Sequence, residues 1–207
     1  MPYVQLSNEY KVQLYRQLEK NKPITVSYRS WEFYEYPSLP ATNSHVWTVK
    51  TSTQLEKPRY IVISFQTNRK NVRNRNASRF DHCGLVNLKV FLNSQYYPYS
   101  NMNLDITQNQ YAILYDMYAN FQHSYYGKDN EPVLNRGDFI ELIPLIVIDC
   151  SKQNDTLKNA PVDVLIEMNT SIPFPPQTAA LCLIIHDRYN TTMFEYNAIS
   201  GEVRKIV

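Results

Sequence analysis

From Ile24 onward the chain alternates apolar and polar residues with a period of two, and this constrains the fold more than any other feature. "ITVSYR" and "HVWTVK" alternate, and "VNLKVFLNS" sets Val86, Leu88, Val90 and Leu92 on one face. "RYIVISFQ" is apolar on both faces, as expected for a strand buried on two sides. "LIPLIVID", "VDVLIEM", "AALCLIIHD", "MFEYN" and "EVRKIV" supply further short strands. Turn-rich segments such as "YPSLPATNS" separate them. Many short strands and only two helix patterns predict an all-β antiparallel sandwich or barrel. The length of 207 residues suits one sizeable core.

The first helix pattern is "LSNEYKVQLYRQLEKNKP". Ser7 stands at its cap, Tyr10, Leu14 and Leu18 form a stripe beside Tyr15, and Pro23 ends it. The expected organisation is therefore a helical connector over residues 1–22 and one sandwich domain over 23–207.

The second helix pattern lies within "TQNQYAILYDMYANFQHSYYG". Thr107 and Gln110 make a T-x-x-Q capping box, so a helix is expected from about residue 107 to 126. Tyr111, Leu114, Tyr115, Tyr118, Phe121 and Tyr125 follow helical spacing, with Ile113 and Met117 on a second flank. Gly127 fits the left-handed position after the last turn. So wide an aromatic stripe must be covered, either by the sheet or by another molecule. Tyr111, Tyr115, Tyr118 and Tyr125 are therefore candidate interface residues.

Reaction chemistry is sparse. The 4 glycines never fall in GxG spacing, which excludes the dinucleotide and P-loop fingerprints. The 3 cysteines (Cys83, Cys150, Cys182) contain no CxxC, and their odd number argues against a disulfide framework and for a reducing compartment. His45, His82, His123 and His186 lack the i, i+2 or i, i+4 spacing of chelating pairs. Asp81-His82-Cys83 point alternately to opposite faces of an extended chain. Asp116 and His123 stand about 10 Å apart along a helix axis, too far to pair. Asp149, Asp163 and Glu167 could meet only through the tertiary fold. No G-x-S-x-G elbow occurs. The expectation is a protein with no catalytic residues, no metal and no cofactor.

The net charge of +2 demands neither nucleic acid nor membrane as partner. No apolar run approaches the ~20 residues that span a bilayer. The N-x-S/T triplets at Asn76, Asn154, Asn169 and Asn190 are close to the roughly two or three that chance provides, and no secretion signal precedes them. One charge cluster stands out: Arg69, Lys70, Arg73, Arg75 and Arg79, interleaved with asparagines. It is read as a solvated loop or as an inter-subunit or phosphate contact. No aromatic interrupts it, so single-strand stacking is not supported and nucleic acid is not the expected specific ligand. Trp31, Tyr34, Tyr36 and "SQYYPYSN" could offer aromatic platforms to a protein or glycan.

The order of "KPRYIVISFQTN", "FLNSQYYPYSNMNLD…QYAILYDMYANFQHSYYG", "LIPLIVIDCSKQNDTLKNAPVDVLIEM" and "ALCLIIHDR…FEYN" resembles the double jelly roll major capsid proteins of Polinton/Maverick elements and adintoviruses. The likeness is to their C-terminal jelly roll, with the leading helix standing as the connection from a first one. The resemblance implies a jelly-roll sandwich with one tyrosine-rich helical excursion and a structural, non-enzymatic role. It further implies self-association into a trimeric capsomer or packing against a partner jelly roll, in a virion or inside the cell.

Overall fold

A computed structural model describes residues 5, 7–20, 24–49, 58–92, 95–127, 129, 131–152, 163–196 and 203–206. The elements are α1 (Asn8–Glu19), β1 (Ile24–Tyr36), β2 (Ser44–Val49), β3 (Pro58–Thr67), β4 (Leu85–Leu92), β5 (Gln95–Tyr97), α2 (Ala112–Tyr126), α3 (Arg136–Leu142), β6 (Ile146–Asp149), β7 (Val164–Thr170), β8 (Thr178–Tyr196) and β9 (Val203–Ile206). They form two units, one made by the chain ends up to Arg29 and from Asp187, the other by Ser30–His186.

One sheet has the order β1-β8-β3-β6, with β9 paired to β8, and the other runs β2-β7-β4-β5. The first strand thus neighbours the eighth, the second the seventh, the third the sixth and the fourth the fifth. That is a long hairpin rolled into two layers, the connectivity of a jelly roll. The registers of β2 with β7, β3 with β6 and β8, and β4 with β5 and β7 are all antiparallel. The predicted antiparallel jelly-roll sandwich is the fold.

The core lies between the layers. Ile61, Ile63 and Phe65 of β3, Ile146 and Ile148 of β6, and Ala180, Cys182 and Ile184 of β8 face Trp47, Leu88, Val90, Ile166 and Met168 of the other sheet. Each strand contributes every second residue, as the pleat requires. β4 departs from strict alternation at its start. A register shift between Leu85 and Asn87 turns Leu85 inward and leaves Val86 half-buried. The expected four-valine-and-leucine face therefore begins with Leu85.

Other differences are local. "AALCLIIHD" and "MFEYN" belong to one strand, β8, and not to two. Helix α3 and strand β5 were not expected. Asn135 caps α3 by accepting the Asp138 N–H at 2.9 Å, a signal present in "NRGD". In the unit of the chain ends, Ser7 occupies the cap of α1 without a side-chain bond. Of the α1 stripe, Leu18 is buried whereas Tyr10 and Tyr15 are exposed. Arg29 Nε donates to Asp187 Oδ1 at 3.0 Å in the same unit. Pro23 lies outside the described residues.

Candidate functional site

The tyrosine helix begins five residues later than its capping box suggests. Asp105 accepts the Thr107 hydroxyl at 2.6 Å and the Gln108 N–H at 3.1 Å. Asn109 adopts φ 57°, and Asp105 and Gln110 close a bridge. Thr107 and Gln110 are thus consumed by a turn, in which the Asp105 carboxylate accepts both the Thr107 hydroxyl and the Gln108 N–H. Tyr111 stands at the cap of α2, and Gly127 ends the helix at φ 64° as expected.

Helix α2 lies over the outer face of the β3-containing sheet. Phe121 and Tyr125 pack edge-on to Tyr60 of β3, with ring centroids 5.1 and 6.0 Å away. Val147 of β6 and Ile185 of β8 complete this second cluster. Tyr125 and Tyr111 are buried within the chain, and Tyr115 and Tyr118 are half-buried. Tyr118 stacks on Phe139 of α3 at 4.8 Å, with Tyr115 5.5 Å from the same ring. The Tyr115 hydroxyl donates to the Leu134 carbonyl at 2.9 Å. Arg136 lies over the Tyr111 ring at 4.6 Å and also donates to the Asn109 carbonyl. Tyr115 further borders an open cleft of ≈590 Å³ with Ile113, Asp116, Pro132 and Arg136.

The exposed aromatic rings lie elsewhere. On β1, an edge strand of its sheet, Trp31 is 57% and Phe33 60% exposed. Trp31 Nε1 donates to the Tyr125 hydroxyl at 3.1 Å, and Tyr126, in ring contact with Tyr125, is 60% exposed. Tyr34 and Tyr36 point to the opposite face. Tyr36 packs on His45 and Trp47 at 5.0 and 5.9 Å.

The arginine loop between β3 and β4 is held at both ends. Gln66 Nε2 donates to the carbonyls of Ala77 and Arg79. The Phe80 N–H reaches the Leu142 carbonyl, and the Asp81 N–H reaches that of Phe65. Asp81 also accepts the Thr67 N–H at 2.8 Å and the Arg69 guanidinium at 2.6 Å. Lys70 is paired with both Glu35 carboxylate oxygens at 2.8 Å. Arg73, Arg75 and Arg79 have no ion-pair partner among the described residues, and all three are exposed. Beneath the loop is a cleft of ≈660 Å³ lined by Arg69, Arg75, Arg79 and His82 and by apolar side chains, but not by Arg73.

The remaining ionisable groups are spread apart. Burial lowers the pKa of His82, against a smaller opposing effect of Asp81, and its Nδ1 accepts the Gly84 N–H at 3.0 Å. Burial likewise lowers His45. His186 is fully buried, with Nε2 4.0 Å from Glu32 Oε2. Asp149 ends a strand of one sheet, whereas Glu167 sits in the other. All three thiols are buried and unpaired. Desolvation pushes Cys83 and Cys182 up to about 12 and raises Cys150 as well, which suppresses the nucleophilic thiolate. Among the described residues, no group of three or more His, Cys, Asp or Glu converges to hold a metal. No described helix is long and apolar enough to cross a membrane.

Two antiparallel sheets rolled together, with a helical cover, exposed rings on an edge strand and a basic cleft, define a jelly-roll protein. The family comparison agrees: residues 1–190 match the double jelly roll-like domain, and the chain belongs to that family. No curated protein matches it. Among solved structures it is similar to the major capsid protein P2 of bacteriophage PM2, at 10% identity and a TM-score of 0.30. That alignment covers 81% of this chain and 45% of the phage protein, so the chain spans less than half of that protein's length.

Proposed function

We propose that this chain is a structural assembly protein, capsid-like and non-enzymatic. It corresponds to the C-terminal jelly roll of the Polinton/Maverick and adintovirus major capsid proteins and acts in a virion or inside the cell. Its partner is another jelly roll, in the trimeric arrangement that the resemblance implies. Membership of the double jelly roll-like family supports the reading. The observation that carries it is the aromatic edge: Trp31 and Phe33 stand exposed on an edge strand of a sheet whose neighbouring outer face is already covered by α2. An edge strand with large exposed rings is a pairing surface unless something covers it. Tyr126 and the half-buried Tyr115 and Tyr118 extend the proposed contact along α2. Lys70 and Arg69, already paired within the chain, shape the loop beside it.

Size-exclusion chromatography with light scattering, run to high protein concentration, tests this. The expected result is a concentration-dependent trimer or larger particle, which Trp31→Glu with Phe33→Glu returns to monomer. A strict monomer at every concentration contradicts it. A second reading, a single-roll binding module for a protein or glycan, is favoured by the pinning of the Trp31 ring through its Nε1. That reading predicts saturable glycan or peptide binding by the monomer, lost in Trp31→Ala.

A further inference from the structure

We propose that the cleft beneath the arginine loop binds an acidic peptide segment whose carboxylates are flanked by apolar side chains. The site is distinct from the aromatic edge and does not depend on assembly.

The charge pattern comes first. Arg69 in the cleft is neutralised by Asp81. Arg75 and Arg79 have no such partner among the described residues, and Glu141 is the acid that opposes them. Two unpaired guanidinium groups against one carboxylate leave the cleft net positive. Guanidinium forks bind carboxylates in bidentate fashion, so a carboxylate is a fitting complement.

The walls decide what carries that carboxylate. Phe80, Ile106, Ile140 and Pro175 line the cleft, and Ile172 is left 55% exposed there. A bare inorganic anion would gain nothing from this apolar surface, whereas aliphatic or aromatic side chains beside the carboxylate would be desolvated against it. The volume of ≈660 Å³ falls within the range of ligand pockets. Nucleic acid fits less well. The loop carries no aromatic from Asn68 to Arg79 on which bases could stack, and Arg73, which a phosphate chain would engage, does not line the cleft.

The loop is also set in advance. The Gln66, Phe80, Asp81 and Thr67 bonds fix its two ends, and Ser78 N–H donates to Asn76 Oδ1 within it at 2.8 Å. A loop ordered before binding loses less entropy when the ligand arrives.

The test is a fluorescence titration with a labelled synthetic peptide, Leu-Glu-Phe-Glu-Ile, and its Gln-for-Glu counterpart. The Glu peptide is expected to saturate the protein and to bind roughly tenfold tighter than the Gln peptide. Arg75→Ala with Arg79→Ala should weaken it by roughly tenfold or more, Glu141→Gln should tighten it several-fold, and Arg73→Ala should leave it unchanged. All four side chains are exposed, so the fold survives each change. No saturable binding, or equal affinity for the two peptides, overturns the proposal. So does equal weakening by Arg73→Ala with tighter binding of a single-stranded oligonucleotide, which would make the loop a general polyanion surface.

Discussion

The two sheets of the sandwich treat their outer faces differently. In the sheet containing β3, several residues pointing away from the core are themselves buried where α2 lies, Tyr60 on β3, Val147 on β6 and Ile185 on β8, whereas Trp31 and Phe33 on the edge strand β1 stay exposed. In the sheet containing β4, the outward residues are half-buried or wet. Lys89 lies over the Tyr96 ring at 4.6 Å, Glu167 faces Lys89 in the register, and Val46 is exposed. Helix α2 makes the difference, because it packs on β3, β6 and β8 of one sheet, whereas Val46 on the outer face of the other is 51% exposed. One sheet has become the middle layer of three, and its strands read as continuous apolar runs for that reason. The aromatic content of α2 follows from the same geometry. Broad rings bridge the gap between a helix and a twisted sheet, and phenol hydroxyls at the rim reach backbone carbonyls such as that of Leu134.

This contrast can be broken by substitution. The inner face should suffer most. Phe65→Ala removes a fully buried ring 5.5 Å from Phe174 and should cost about 4 kcal/mol, read from the midpoint of urea denaturation. The covered outer face should come next. Tyr60→Ala should cost about 3 kcal/mol, and a double-mutant cycle with Phe121→Ala should return a coupling of about 0.5–1.5 kcal/mol. An outer face lacking its helix would show neither.

Titration of the dry interior sharpens the picture. The raised thiols keep their protons in the folded chain, whereas an ordinary thiol loses its proton near 9.0. The folded state therefore binds more protons above that value. Stability should be fully present below pH 9 and fall as pH rises toward about 12, where the folded thiols begin to ionise. Thermal melts across this range, compared with those of Cys182→Ala, should show the slope reduced in the variant. The smallest effect belongs to the open outer face, where Lys89→Ala should change stability by no more than about 0.5 kcal/mol.

Much of the roll was legible in the sequence because a pleated strand with one wet face writes its own period. "VNLKVFLNS" shows this, and even its bulge moves the pattern by only one residue. The sequence pattern divides β8 in two because its polar middle, "DRYNTT", interrupts the apolar runs on either side. α3 and β5 are seven and three residues long, too short to display a period. The stripe places the tyrosine helix, yet the helix starts later than the capping box predicts because Thr107 bonds to Asp105, two residues before it. The arginine cluster was visible as composition. Its division, among the described residues, into paired Arg69 and Lys70 and unpaired Arg73, Arg75 and Arg79 depends on Asp81 and Glu35, which are positioned only by folding. The aromatic edge had one member in view, Trp31. Phe33 carries no such signal, because an alternating strand does not reveal which of its faces remains uncovered.

The central claim is that α2 belongs to its own chain's fold as the cover of the β3 sheet. Amide hydrogen exchange on dilute, monomeric protein tests it most directly. The account predicts that the α2 amides from Asp116 to Tyr125 exchange slowly, in the same class as those of β3 and β6. Fast exchange of α2 in the monomer, with protection appearing only when the protein associates, would contradict it.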